Sequence, residues 1–113
     1  MAEQCLFCRI VRKEIPATIV AETDDCLAFR DITPRAPVHV LVIPKQHVAS
    51  IGDATDPSQI GKLSLLAADI ARQEGIAESG YRTVINTGPD AGQTVFHVHL
   101  HLLGGREMGW PPG

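Results

Sequence analysis

Residues 97 to 101 read HVHLH, inside the stretch QTVFHVHLHLLGG, and hold three of the chain's five histidines at intervals of two. Imidazole titrates near neutral pH, binds metals through a neutral ring nitrogen, and can act as a nucleophile at pH 7. In a strand, side chains alternate faces, so His97, His99 and His101 would point one way and Val98, Leu100 and Leu102 the other. A rise of about 3.4 Å per residue would put neighbouring histidines about 6.8 Å apart and the outer two about 13.6 Å apart. No single ion can take all three. Two neighbours can share a metal at bonds of about 2.0–2.1 Å, but the third then needs another task. A nucleophile with flanking helpers, optionally with one edge histidine lent to a metal, accounts for the pattern better than one wet face of a strand.

Cys5 and Cys8 form a C-x-x-C pair, a spacing shared by zinc knuckles and redox motifs. The redox version usually follows a strand in a βαβ unit, and no strand is expected before it. Zinc would need two further ligands, and His47 of PKQH and His97 are the candidates. Cys26 is expected to be a small apolar residue buried in its strand. In GPDAGQTVFH, Gly88 and Gly92 would let backbone N–H groups approach an anion, with Gln93 and Thr94 as side-chain donors. Asp31, in FRDI, suits a turn at a strand end or a hydrogen-bond acceptor.

These residues must be positioned by regular elements. TIVAE (18–22) and CLAFR (26–30) are β-prone runs joined by the turn formers Thr23, Asp24 and Asp25, which predicts a hairpin. VHVLVIP (38–44) predicts a central strand ended by Pro44. Asp56, Pro57 and Gln59 spell a helix start, with the Gln59 amide placed to reach back to the cap. Ile60, Leu63, Leu66, Ala67, Ile70 and Ala71 continue it as one apolar stripe up to Gly75. YRTVIN (81–86) and VFHVHLHLL (95–103) predict two more strands. The order implies an α+β class, an antiparallel sheet with a helix packed on one face.

At 113 residues, 44% hydrophobic and 20% charged, the chain is expected to be a single domain, 1–113, of a soluble protein. A formal charge of -3 without a basic block disfavours a nucleic-acid partner. No apolar run reaches the ~18 residues of a membrane span, and the start lacks a secretory pattern, so a cytoplasmic location is expected.

The pattern HVHLHLL is the signature of the histidine triad superfamily of nucleotidyl hydrolases and transferases. With RKEIPA, CLAFRDI, VIPKQH, GYRTVIN, GGRE and the terminal WPPG, the chain resembles its nucleotide-binding branch of homodimeric purine nucleoside phosphoramidases. The resemblance implies a HIT-like fold: a five-stranded antiparallel sheet, one long helix and a short N-terminal helix. Two such sheets would join in a homodimer through the helix at 57 to 74 and the strand YRTVIN. It implies that His99 attacks the α-phosphorus to form a covalent nucleotidyl-histidine that water hydrolyses, with His97 and His101 orienting it and stabilising charge. His39 would be a further active-site histidine. Asn86, Gln93 and Thr94, beside Gly92, would contact the phosphate or leaving group; Thr94 stands where relatives often carry serine, and the hydroxyl survives. Asp31 would bind the ribose, and Phe7, Ile10, Phe29 and Ile32 would form the slot for the base. Trp110 would lie near the partner's active site. Zinc on Cys5, Cys8, His47 and His97 would be structural and not required for the chemistry. A dinucleoside polyphosphate hydrolase and a nucleotide-sensing module are the competing readings; the ending WPPG argues against the first, an intact His99 against an inert form of the second.

Overall fold

The computed structural model describes residues 4–113. A short helix α1 (Leu6–Val11) precedes a hairpin of β1 (Ile19–Glu22) and β2 (Cys26–Arg30). Strand β3 (Val38–Pro44), the long helix α2 (Pro57–Gln73), β4 (Tyr81–Ile85) and β5 (Leu100–Gly104) follow. All five strands form one antiparallel sheet in the order β1-β2-β3-β5-β4. The α+β class and the five-stranded sheet match expectation. Among the described residues, no helix is long and apolar enough to cross a membrane.

Local chemistry explains the elements. The Thr23 hydroxyl accepts from the backbone N–H groups of Asp25 and Cys26 at 3.3 and 2.9 Å, closing the hairpin. Helix α2 starts where the Asp56 carboxylate accepts from the Ser58 N–H at 2.9 Å, with Pro57 in the first turn. The Gln59 amide does not return to that cap. It donates to the Gln46 carbonyl at 3.2 Å, which lies within its reach and ties the helix start to the loop leaving β3.

Alternation along β2 and β3 runs between two cores, so both strands read as nearly continuous apolar runs. On one face Ala28, Val40, Val42, Leu100 and Leu102 pack against Leu63, Ala67, Ile70 and Ala71 of α2, with Cys26 also buried there. On the other face Leu27, Phe29, Leu41 and Ile43 meet Phe7 and Ile10 of α1. The histidine face is therefore not a wet exterior: α1 covers part of it, and His97 and His99 are buried.

The strand expected over 95–103 begins only at Leu100, and YRTVIN pairs only to Ile85. Residues 95–97 bend, and the Val98 N–H donates to the Val48 carbonyl at 2.7 Å. The chain leaves the sheet there to bring His97 to the loop after β3, so the even spacing of three histidines along one strand does not hold. The His99 and His101 rings nonetheless remain neighbours, with centroids 5.0 Å apart.

Strand β5 ends at Gly104, where an added Cβ would stand 2.5 Å from Cδ1 of the buried Ile76. Gly104→Ala should cost about 1–3 kcal/mol by overpacking. Urea unfolding of a double-mutant cycle with Ile76→Ala should show a smaller cost in the truncated background. An equal cost in both backgrounds would mean that this contact is not what requires glycine.

Candidate active site and metal centre

Two groups of side chains meet on the α1 side of the sheet. Cys5 caps α1, its sulfur accepting from the Cys8 N–H at 3.5 Å, so one helical turn brings both thiols to the same end. His47 arrives on the loop after β3 and His97 on the bend before β5. The Cys5 sulfur is 3.4 Å from His97 Nδ1, and the Cys8 sulfur is 3.3 and 3.5 Å from Nδ1 of His47 and His97. The two Nδ1 atoms are 3.2 Å apart. A tetrahedral ion with bonds of about 2.3 Å to sulfur and 2.0–2.1 Å to nitrogen would set edges of about 3.6 Å between sulfur and nitrogen and about 3.4 Å between nitrogens. The measured separations match within a few tenths of an ångström, so these four residues could hold a metal ion. His97 Nε2 donates to the Pro44 carbonyl at 2.7 Å, which leaves the Nδ1 lone pair facing the cluster, the tautomer a ligand needs. Burial is the main cause that lowers the His97 pKa to about 4 and keeps the ring neutral.

The second group surrounds a pocket of about 430 Å³. Phe7, Ile10, Phe29 and Ile32 line it together with Asp31, Thr94, His99 and His101. His99 Nδ1 donates to the carbonyl of His97 at 2.8 Å, which assigns its proton and leaves Nε2 as a lone pair. Phe7 packs edge-on against that ring at 5.1 Å and against Phe29 at 5.5 Å. Behind His101, the buried His39 places Nε2 2.9 Å from His101 Nδ1 and 3.4 Å from an Asp31 oxygen. Asp31, His39 and His101 are close enough together to suggest a second ion site. The Arg35 N–H, however, donates to His39 Nδ1 at 3.0 Å, so the proton of His39 sits on Nε2, the atom an ion would need. Hydrogen bonding, not coordination, joins this trio.

The chain matches the HIT domain family over residues 12–108, a span that leaves out Cys5 and Cys8. It is 60% identical over the full length of both chains to a HIT-like protein of Synechococcus elongatus. It is 49% identical to the purine nucleoside phosphoramidase of Escherichia coli, over 96% of this chain and 93% of that one. A solved HIT family hydrolase from Legionella pneumophila superposes with a TM-score of 0.95 at 52% identity, covering 97% of this chain and all of the other.

Asn86, Gly92 and Trp110 lie outside the pocket walls. Asn86 follows the end of β4, and Gly92 takes a left-handed conformation, φ 86°, in the loop before His97. Trp110 is 83% exposed, with the Arg82 guanidinium 5.8 Å from its ring centre. Leu6, Pro16, Ala17, Leu41 and Val95 are walls that sequence reasoning did not single out; apolar residues in core-like runs carry no mark of a pocket. Gln93 holds the loop together. Its carbonyl accepts from the Gly88 N–H at 3.0 Å, and its amide nitrogen donates to the carbonyls of Ala49 and Val95 at 2.8 and 3.2 Å. Both amide protons are thus committed to backbone. Gln93→Ala should lower stability by about 1–3 kcal/mol, because three partly buried backbone groups lose partners. It should also speed hydrogen exchange of the Gly88 amide; exchange unchanged from the parent would show that Gln93 does not hold the loop.

Proposed function

The chain belongs to the HIT domain family, and on that premise we propose that it hydrolyses the P–N bond of purine nucleoside 5′-phosphoramidates, releasing the nucleoside monophosphate. The observation that carries this reading is His99, whose Nδ1 proton is tied to the chain's own carbonyl while, among the described residues, no hydrogen bond occupies the Nε2 lone pair of a ring that lines the pocket. The name of the Escherichia coli relative supports the same substrate class.

In this reading Nε2 of His99 attacks the α-phosphorus and the P–N bond breaks, the leaving nitrogen taking a proton from solvent, which the later hydrolysis returns, and departing as an amine. The nucleotidylated ring carries a positive charge, which the His97 carbonyl stabilises through Nδ1–H. Water then attacks phosphorus, releases the monophosphate and a proton, and restores neutral His99. His101 and the Thr94 hydroxyl serve the phosphoryl oxygens, with the backbone around Gly92 and Asn86 bordering the site. Gln93 acts by shaping the loop. Asp31 takes the ribose hydroxyls, and its Oδ1 also accepts from the Thr33 N–H at 2.8 Å, which fixes the carboxylate. The base lies among Phe7, Ile10, Phe29 and Ile32, the last 97% exposed at the pocket's rim.

We further propose that zinc occupies Cys5, Cys8, His47 and His97 as a structural ion. When bound it would neutralise the thiolates and cross-link α1 to the loops after β3 and before β5, leaving the reaction to His99. A homodimer, formed across the β4 edge and α2, is part of the same reading: β4 ends the sheet with Tyr81 exposed, an edge open to pairing. Arg82 of β4 also donates to the Gly109 carbonyl at 2.9 Å, which ties the Trp110 tail to that edge; in the proposed dimer this would bring Trp110 toward the partner.

His99→Asn should abolish turnover of an adenosine phosphoramidate, by about 10³-fold or more, while adenosine monophosphate still binds. Rapid acid-free quenching of the parent should trap a nucleotidyl adduct on residue 99. Near-parental turnover in the variant would refute the assignment. Elemental analysis should find about one zinc per chain, lost in Cys8→Ser. Chelator should lower the melting temperature, since an ion at about 1,000 times its Kd stabilises the fold by about 4 kcal/mol. Zinc-free protein with a chelator-independent melting curve would remove the metal from this reading.

A further inference from the structure

We propose that the backbone N–H of Arg35, held in place by Arg106, is a positioning group for the reaction: through His39 it determines which nitrogen of His101 carries the proton facing the substrate. The argument is a count of protons along a chain of three contacts. A backbone N–H can only donate, so His39 Nδ1, 3.0 Å from it, must be the bare nitrogen. The single proton of neutral His39 then lies on Nε2, which donates to His101 Nδ1 at 2.9 Å. His101 Nδ1 must accept, so its own proton is on Nε2. Among the described residues the hydrogen bond of His101 uses Nδ1 and none occupies Nε2, and the ring lines the pocket. Both rings stay neutral because burial, the largest cause in each case, lowers the His39 pKa and brings that of His101 to about 4.

The assignment matters because the opposite tautomer would turn a lone pair toward a phosphoryl oxygen. A fixed N–H donor stabilises that oxygen as charge develops, at no cost of reorientation. The donor at the start of the chain is gripped on several sides. Pro34 and Pro37 restrict the backbone around Arg35. The Thr33 N–H binds Asp31, the Asp31 N–H donates to the His39 carbonyl at 3.1 Å, and Arg106 donates through Nε and Nη2 to the Arg35 carbonyl at 3.2 and 3.0 Å. Arg106 touches neither the pocket nor the histidines, so it is a positioning residue acting at a distance.

The test reads histidine ring nitrogens by ¹⁵N NMR on the intact protein, with signals assigned by single substitutions. In the parent, both His39 and His101 should show bare Nδ1 and protonated Nε2. A protonated Nδ1 on either ring would overturn the proposal, whatever the activity. Arg106→Ala, a change at an exposed site, should shift His101 toward a mixture of tautomers. With an adenosine phosphoramidate it should lower kcat by about three- to tenfold, part of the effect of losing a preorganised donor, with KM changed less than twofold. Arg35→Pro deletes the N–H and should act in the same direction more strongly. His101 spectra and kcat identical to the parent in a folded Arg106→Ala protein would overturn the role given to Arg106; in folded Arg35→Pro they would overturn the role given to the amide. The kinetic arm rests on the proposed phosphoramidase reading, whereas the spectra need no substrate. Expected spectra without turnover would therefore fault the substrate class and leave the tautomer assignment standing.

Discussion

A neutral imidazole has two nitrogens and one proton, and nearly everything in this site depends on where that proton is put. Main-chain groups decide it for each of the buried rings. The Pro44 carbonyl takes the proton of His97 and leaves a lone pair toward two thiols. The His97 carbonyl takes that of His99 and leaves a lone pair toward the pocket. The Arg35 amide forbids a proton on His39 Nδ1 and so assigns the opposite polarity to His101. A backbone in regular or tightly bonded conformation cannot reorient as a side chain can, which makes these assignments rigid. The fold thereby presents one lone pair and one N–H on neighbouring rings, the two functions that the proposed attack on phosphorus would use.

The same residue couples the two halves of the site. His97 offers its ring to the cysteine cluster and its carbonyl to the neighbouring histidine, while Phe7, set between Cys5 and Cys8 in the sequence, packs edge-on against the rings of both His97 and His99. An ion in the cluster would act on the pocket through packing and through a peptide unit, without touching substrate.

Much of this was legible in the amino-acid sequence, for identifiable reasons. Helix α2 announced itself by its Asp56 cap and a stripe whose Leu63, Ala67, Ile70 and Ala71 are the residues found buried. The cysteine pair and the two histidines offered as its partners stand together in space. Period-two alternation misled over 95–99, because the apolar and histidine residues keep alternating after the backbone has left the sheet to bond Val48. Gln93 read as a phosphate donor because its use by Gly88, Ala49 and Val95 depends on contacts far along the chain. The Arg35 amide was illegible in principle: every residue but proline has one, and only tertiary structure gives it a partner.

The central seam of the sheet, where β3 lies against β5, joins Val42 to Leu100 and Leu41 to His101. All of α2 and β4 intervene between those strands, so the pairing is the least local in the molecule, while β1, β2 and β3 are linked by short connections. Entropy of loop closure opposes distant pairings until enough burial rewards them, and such topologies fold slowly for their size. A nascent or refolding chain can complete its first three strands with neither His97, His99 nor His101 in place. On the proposed reading, the site around His99 is complete only once this least local seam has closed.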